Sequence, residues 1–284
     1  MQVRRLAGAL GAEVTGCDLS QTLSSAAVGQ LQSLWAEHLV LRFRDQRLSP
    51  EQLLAFSRCF GQLERHDNYV ADLRHETHPE LLRVKATNVK GERIVFGQQW
   101  HSDLSYTTVP SLGSCLYALQ MPSSGGDTLF ASMIAAYEAL SPAMQRFVDP
   151  LTVVHDITNG RIYQGRTWEQ YAQSRDRNPP VVQPMVRVHP PSGRNALFVS
   201  EWMCRRVVEL APDEGTALLH FLFEHCARPE FAFRQSWQKG DLLMWDNRAT
   251  IHMALADYAP GERRELLRTS LVGEPLGRRL EVAT

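Results

Sequence analysis

Leu81-Leu82-Arg83-Val84-Lys85, Arg93-Ile94-Val95-Phe96 and Ser114-Cys115-Leu116-Tyr117-Ala118-Leu119 are short apolar runs separated by turn residues, and they read as β-strands. Similar runs recur at Thr152–Asp156, Met185–Val188, Ala196–Val199, Phe231–Trp237, Asp241–Trp245 and Glu265–Val272. Upstream the pattern is mixed. Ala12–Leu19 and His38–Phe43 look extended, and Ser24 and Ser25 offer a cap for a helix bearing Val28, Leu31, Leu34 and Trp35. Ser49-Pro50 opens a second helix, with Gln52 read as one residue short of a strict capping box and Gly61 as the stop. Further helices are expected over Ser132–Leu140, Ser141–Val148 and Thr216–Cys226. A polar insertion is expected around 157–180, with a helix at Trp168–Arg175. No repeat or Pro/Gly-rich linker divides the chain, so 1–284 is expected to be one domain. The expected fold class is mainly β with packed helices, a β-sandwich or a double-stranded β-helix.

Composition narrows the function. Thirty Lys plus Arg against 31 Asp plus Glu give a formal net charge of −1, which argues against an electrostatic nucleic-acid binder. Five widely spaced cysteines without a C-x-x-C argue against a disulfide framework or zinc ribbon. No run approaches the roughly 18 apolar residues of a membrane span. The expectation is a soluble, cytoplasmic protein. Gly125-Gly126 lacks the lysine and the strand–loop–helix setting of a phosphate-binding loop, so nucleotide binding is set aside.

His101-Ser102-Asp103 is an H-x-D. On an extended segment residues i and i+2 share a face, so the imidazole and carboxylate could hold one metal. With a distant histidine they would form the two-histidine, one-carboxylate face that leaves positions open on a non-haem Fe(II). His155, His189, His220, His225 and His252 compete for the third place. His220 and His225 fall in a helical stretch and read as surface or cap residues. His189 precedes two prolines, and His155 is followed directly by Asp156. His252 follows Trp245-Asp246-Asn247-Arg248 and precedes Arg263, Arg264 and Arg268, and a guanidinium is what a dicarboxylate cosubstrate would require. These features do not decide among the five.

Trp100-His101-Ser102-Asp103, Gly125-Gly126-Asp127-Thr128, Trp245–His252 and Arg264-x-x-x-Arg268 occur in that order. The series resembles the taurine/2,4-D (TauD/TfdA) family of Fe(II)/2-oxoglutarate-dependent dioxygenases, from Gly11 to about Gly273. The resemblance implies a jelly-roll (cupin-like) core, with His101, Asp103 and His252 as iron ligands and catalytic residues. Thr128 and Arg264 would hold 2-oxoglutarate. Arg268, with His66 and Tyr69, would contact a small anionic substrate. It also implies O2 as a reactant, succinate and CO2 as products, and a homo-oligomer, dimer or tetramer. Retention of Asp103 implies oxygen transfer rather than halogenation. Two departures point away from taurine itself: Gly97 stands where an asparagine often contacts substrate, and Met203 is read as replacing an aromatic wall. Desaturation or another oxidation of an amino-acid-like substrate is the alternative within enzymes, and a non-catalytic metal- or anion-binding β-barrel the alternative outside them.

Overall fold

The computed structural model describes residues 1–67, 73–89, 92–95, 97–160, 163 and 167–280. The chain begins with β1 (Gln2–Arg5), β2 (Ala12–Thr15), α1 (Ser25–His38), β3 (Val40–Phe43) and α2 (Pro50–Arg58). Next come β4 (Leu82–Lys85), β5 (Thr87–Val89), β6 (Glu92–Ile94), β7 (Gly113–Gln120), β8 (Thr128–Ser132), α3 (Met133–Glu138) and α4 (Pro142–Val148). The middle holds β9 (Thr152–His155), α5 (Trp168–Arg177), β10 (Val181–Pro184), β11 (Val186–His189), β12 (Arg194–Leu197), β13 (Cys204–Val207) and α6 (Pro212–Cys226). The last elements are β14 (Ala232–Gln235), β15 (Leu242–Asp246), β16 (Thr250–Ala254), β17 (Glu265–Leu271) and β18 (Arg278–Arg279). The protein is mainly β, with several sheets and a few helices. No helix among the described residues is long and apolar enough to cross a membrane.

A seven-stranded sheet runs β1-β2-β3-β15-β7-β17-β4, and a three-stranded sheet runs β14-β8-β16. The strands at the centre of the large sheet are apolar on both sides, and alternation sorts their residues into two cores. Leu116 and Ala118 of β7, Leu243 and Trp245 of β15, and Leu266 of β17 join Phe130, Phe233 and Ile251 of the small sheet. Cys115, Tyr117, Leu242, Met244 and Leu267 point the other way, under Leu31 and Trp35 of α1 and Leu53, Leu54 and Phe56 of α2. The helices thus cover one face of the large sheet, and the small sheet covers part of the other. Functional side chains on the facing surfaces are held by strands, which fixes their spacing better than loops would.

The helix starts follow the cap chemistry. Ser24 Oγ accepts from Ala27 N, and α1 ends where Leu39 turns left-handed at φ 63°. At α2 both halves of a capping box form: Ser49 Oγ accepts from Gln52 N, and Gln52 Oε1 accepts from Ser49 N at 2.8 Å. The expectation that Gln52 falls one residue short is therefore corrected, since three positions separate the pair as the motif requires. α5 covers the expected 168–175 helix and buries no residue. Its Arg175 and the β13 residue Arg205 lie 3.3 and 3.5 Å from the buried Asp156 carboxylate. Phe96, the last residue of one expected strand, lies outside the described residues. Strands β1, β5, β8, β10, β13, β16 and β18 have no counterpart in the expected set.

Candidate metal centre and anion site

His101 and His252 are bridge partners joining the 97–103 segment to β16. Each backbone N–H donates to the other's carbonyl, at 3.1 and 2.8 Å. This exchange puts both imidazoles on one side, with ring centroids 4.2 Å apart. His101 Nε2 and His252 Nε2 lie 3.9 and 4.0 Å from the same oxygen, Asp103 Oδ1. Ligand-type atoms of His101, Asp103 and His252 all lie within 4.8 Å of one another, and all three residues are buried. The 101–103 segment is not the strand that the i, i+2 argument assumed. His101 makes a single bridge, Asp103 begins a turn, and Leu104 is left-handed at φ 54°.

The donor set suits a cation. His101 Nδ1–H donates to the Gln99 carbonyl at 2.8 Å, leaving the Nε2 lone pair facing Asp103. Burial lowers the His101 pKa, and burial with His101 nearby pushes His252 down to about 3, so both rings are neutral donors. Burial alone would raise Asp103, but Arg268, the two histidines and Ser114 hold it well below the usual carboxylate range. His252 is wedged by aromatic rings, with Trp245 at 4.9 Å and Phe130 at 5.7 Å between centroids.

A second set of bonds fixes which carboxylate oxygen faces the histidines. Ser114 Oγ donates to Asp103 Oδ2 at 2.8 Å, and Asn247 Nδ2 reaches the same oxygen at 3.5 Å. Asn247 Oδ1 accepts from the Asp103 backbone and from Trp245 Nε1. Asp246 anchors the turn beneath, taking Arg248 at 2.6 Å and His189 Nε2 at 3.0 Å. Ser114 and Asn247 were not singled out in the sequence, because serines and asparagines beside a ligand carry no spacing signature.

The remaining histidine candidates are placed elsewhere. His155 contacts Ser105 Oγ and Cys204 Sγ, and His189 pairs with Asp246. His220 is exposed on α6. His225, expected at the surface or in a cap, is buried and donates to the Ala136 carbonyl at 2.8 Å, because its face of α6 packs toward α3.

At the other end of the same cavity, Thr128 Oγ1 accepts from Trp237 Nε1 at 3.0 Å and from Arg264 Nη2 at 3.1 Å. Both acceptor positions are filled, so the hydroxyl hydrogen is free to donate to an anion. Arg264 Nε donates to the Gly126 carbonyl at 2.7 Å, which fixes the guanidinium plane. Gly126 is left-handed at φ 70°, and a Cβ there would come 3.1 Å from Arg264 Cδ. Burial lowers the Arg264 pKa to about 10, so it remains charged at neutral pH. Asp127 is tied away from the site by Arg234 at 2.6 Å. The cavity, of about 40 Å³, is lined by Gly97, His101, Thr128, His252, Arg264 and Arg268, with an apolar side from Val84, Leu116, Trp245 and Ala254. Arg264 lies just before β17, and a bulge between Glu265 and Leu266 intervenes before Arg268, yet both line the cavity.

Arg268 Nη1 donates to Asp103 Oδ1 at 3.0 Å. Leu63 bridges Leu271, and Glu64 N donates to Ser270 O, so the 63–66 stretch runs alongside the end of β17. His66 is buried within electrostatic range of Arg268 and Asp103, and burial pushes its pKa down to about 4. Glu64, not expected as a site residue, is half-buried in the same field, and burial lifts its carboxyl to about 7. Tyr69 lies outside the described residues.

Trp202, the residue before Met203, sets its ring 4.9 Å from that of His101, and both residues are buried. Its Nε1 donates to the Ile157 carbonyl at 3.2 Å. A Cβ at Gly160 would stand 1.9 Å from that nitrogen. Gly160→Ala should therefore cost about 1–3 kcal/mol by overpacking, read as a lowered unfolding temperature with altered tryptophan fluorescence. An unchanged melt would show that the indole yields freely.

The buried histidines set an acid limit on stability. Burial pushes His66 to about 4 and His155 and His252 to about 3, from 6.5. Between those values and 6.5 the unfolded chain binds protons that the native state does not. The histidine contribution is therefore full above pH 6.5 and is lost as pH drops below it, at about 1.4 kcal/mol per pH unit for each histidine, while Glu64, raised to about 7, offsets one of the three. Denaturant melts of metal-free protein from pH 7 to 5 should show this fall; a flat profile would mean the rings are not buried neutral.

Comparison with known proteins places the chain among the dioxygenases. The sequence model of one family, described as taurine catabolism dioxygenase TauD, TfdA family, matches residues 2–270, and the chain belongs to that family. The chain is 37% identical over 276 residues to an alpha-ketoglutarate-dependent 2,4-dichlorophenoxyacetate dioxygenase of Cupriavidus pinatubonensis, covering 93% of this chain and 94% of that one. A crystal structure of a taurine dioxygenase from Burkholderia xenovorans superposes with a TM-score of 0.84 at 32% identity, covering 99% and 95% of the two chains. A structure of AAD-2 in complex with Mn(II) and N-oxalylglycine gives 0.83 at 30% identity, covering 97% and 100%. The protein is an oxidoreductase of this dioxygenase family.

Proposed function

We propose that the protein is an Fe(II)/2-oxoglutarate-dependent dioxygenase that hydroxylates a small anionic organic substrate, a sulfonate, an aryloxyalkanoate or a similar carboxylate, releasing succinate and CO2. The observation that carries this reading is that one cavity is lined both by His101 and His252, which cluster with Asp103, and by the Thr128–Arg264 pair. We read residues 1–284 as one domain with a double-stranded β-helix core, which the facing seven- and three-stranded sheets support. All five cysteines are unpaired, which fits a cytoplasmic setting, and we expect a homo-oligomer.

In this reading His101, Asp103 and His252 hold the metal, as their neutral nitrogens and ionised carboxylate suit Fe(II). Bound Fe(II) with 2-oxoglutarate and O2 supplies the oxidising power that no side chain has. The residues supply orientation. Gln99 fixes the His101 tautomer, while Ser114 and Asn247 turn Asp103 Oδ1 inward. Thr128 and Arg264 take the far carboxylate of 2-oxoglutarate as a charge-assisted pair. Trp202 shields the His101 side from water. Arg268, with His66 and Tyr69, takes the substrate's anionic group. The relatives support this reading: the AAD-2 structure holds Mn(II) and N-oxalylglycine, and two others are dioxygenases of 2,4-dichlorophenoxyacetate and of taurine.

The test is succinate formation by Fe(II)-loaded protein with 2-oxoglutarate and O2 across phenoxyacetates, alkyl sulfonates and alkyl sulfates. One class should raise turnover above the substrate-free background, and His101→Ala should abolish the rise. Succinate formation that persists undiminished in His101→Ala would refute the assignment.

A further inference from the structure

We propose that Trp237 is a positioning residue for the cosubstrate: its indole N–H fixes the direction in which the Thr128 hydroxyl donates, and so sets affinity for 2-oxoglutarate without touching it. The inference rests on reading Thr128 and Arg264 as the holders of the cosubstrate's far carboxylate. A threonine hydroxyl has one hydrogen and two lone pairs, and the hydrogen turns to suit its surroundings. Here two of those three directions meet donors. Trp237 Nε1 reaches Oγ1 at 3.0 Å, and Arg264 Nη2 reaches it at 3.1 Å. A hydroxyl hydrogen aimed at either would face another hydrogen, so it takes the third direction. An oxygen held in this way can only donate further, which suits a carboxylate, a group that only accepts.

The strands put the indole there. Thr128 pairs across β8 with Gln235 of β14 and with Ala254 of β16, so its backbone is fixed on both sides. Past the end of β14 the two segments stay clasped by side chains. Ser236 Oγ donates to Asp127 Oδ1 at 3.1 Å, and Trp237 donates to Thr128, one residue further along each segment. The Trp237 ring is packed into the core that joins the two sheets. Thr128 and Trp237 are 3% and 7% exposed, so water does not readily replace either partner. Without the indole N–H, the Thr128 hydrogen gains a second direction that leads away from the anion. Without the hydroxyl, the indole N–H loses its acceptor. The first loss falls on ligand affinity and the second on stability.

The experiment titrates 2-oxoglutarate into full-length protein loaded with Mn(II), which binds without turnover. Wild type, Trp237→Phe, Thr128→Ala and the double variant are compared, and unfolding temperatures are taken for each. Trp237→Phe should weaken 2-oxoglutarate binding about three- to tenfold, no more than Thr128→Ala does, and leave Mn(II) affinity unchanged. With Thr128→Ala already present, Trp237→Phe should weaken binding no further, because no hydroxyl remains to be aimed. Its melting deficit should also shrink there. Thr128→Ser keeps the hydroxyl and should keep the dependence on Trp237. Unchanged affinity in Trp237→Phe would overturn the proposal, and so would a loss of equal size with and without the hydroxyl, since the ring would then only pack. Indole N–H signals of 15N-labelled wild type, with diamagnetic Zn(II) bound, give a check that needs no variant. The Trp237 signal should exchange slowly with water and move when 2-oxoglutarate binds; a signal that does not move would also overturn the proposal. If loaded wild type binds no 2-oxoglutarate, or if Thr128→Ala and Arg264→Met both bind it as wild type does, it is the cosubstrate-site reading that fails, and this inference with it.

Discussion

Asp103→Ala should reduce substrate-dependent succinate formation to below about a thousandth of wild type and abolish stoichiometric Mn(II) binding. The residue supplies the only carboxylate in the three-residue cluster among the described residues. Its loss also removes the carboxylate to which Arg268 Nη1 donates. Breaking a buried pair in this way also costs about 3–5 kcal/mol of stability. The loss of turnover comes from the loss of metal, whose chemistry no side chain replaces. Metal content by atomic absorption and turnover should fall together. A variant that keeps its metal and a tenth of its turnover would remove Asp103 from the ligand set.

Arg264→Met is expected to raise the KM for 2-oxoglutarate by about 10² to 10³-fold, with a smaller effect on turnover at saturation. The guanidinium is buried and fixed by Gly126 and Thr128, so its contribution to an incoming carboxylate is made without reorganisation. Removing a buried charged partner costs about 3–5 kcal/mol, which sets that range. Thr128→Ala, which removes one hydroxyl donor, should cost only about tenfold. Mn(II) affinity should stay near wild type in both variants, because neither residue belongs to the His–Asp–His cluster. Equal losses of metal affinity and 2-oxoglutarate affinity would mean that the two ends of the cavity are not separate anchors.

Three of the strands legible in the sequence are apolar on both faces. Ser114–Leu119, Asp241–Trp245 and Glu265–Val272 lie in the middle of the large sheet, where helices cover one side and the small sheet the other. β8 and β16 were missed for the opposite reason. Thr128-Leu129-Phe130-Ala131-Ser132 and Thr250-Ile251-His252-Met253-Ala254 mix small and polar residues with apolar ones: Phe130, Ala131 and Ile251 join the core, while Thr128, His252 and Ala254 line the cavity. The same property makes them functional.

Of the candidate site, His101 and Asp103 were readable as a pair, though not through the strand geometry invoked for them. The turn before His252 and the arginines after it favoured it over four other histidines without deciding; the motif resemblance decided, and the structure brings that histidine to Asp103 through its backbone bridge with His101. Trp202, which stacks toward His101, had no spacing signal to single it out. Ser114, Trp237 and Asn247 act through other residues, and single polar or aromatic side chains of that kind leave no periodic trace.

The central claim is that the metal cluster and the Arg264–Thr128 pair form one binding site. Equilibrium binding of 2-oxoglutarate under argon, to stripped and to Fe(II)-loaded protein, tests it most directly. One 2-oxoglutarate per chain should bind only when Fe(II) is present, with binding lost in His101→Ala and greatly weakened in Arg264→Met. Binding that is equal with and without metal, or absent from the loaded wild type, would contradict it.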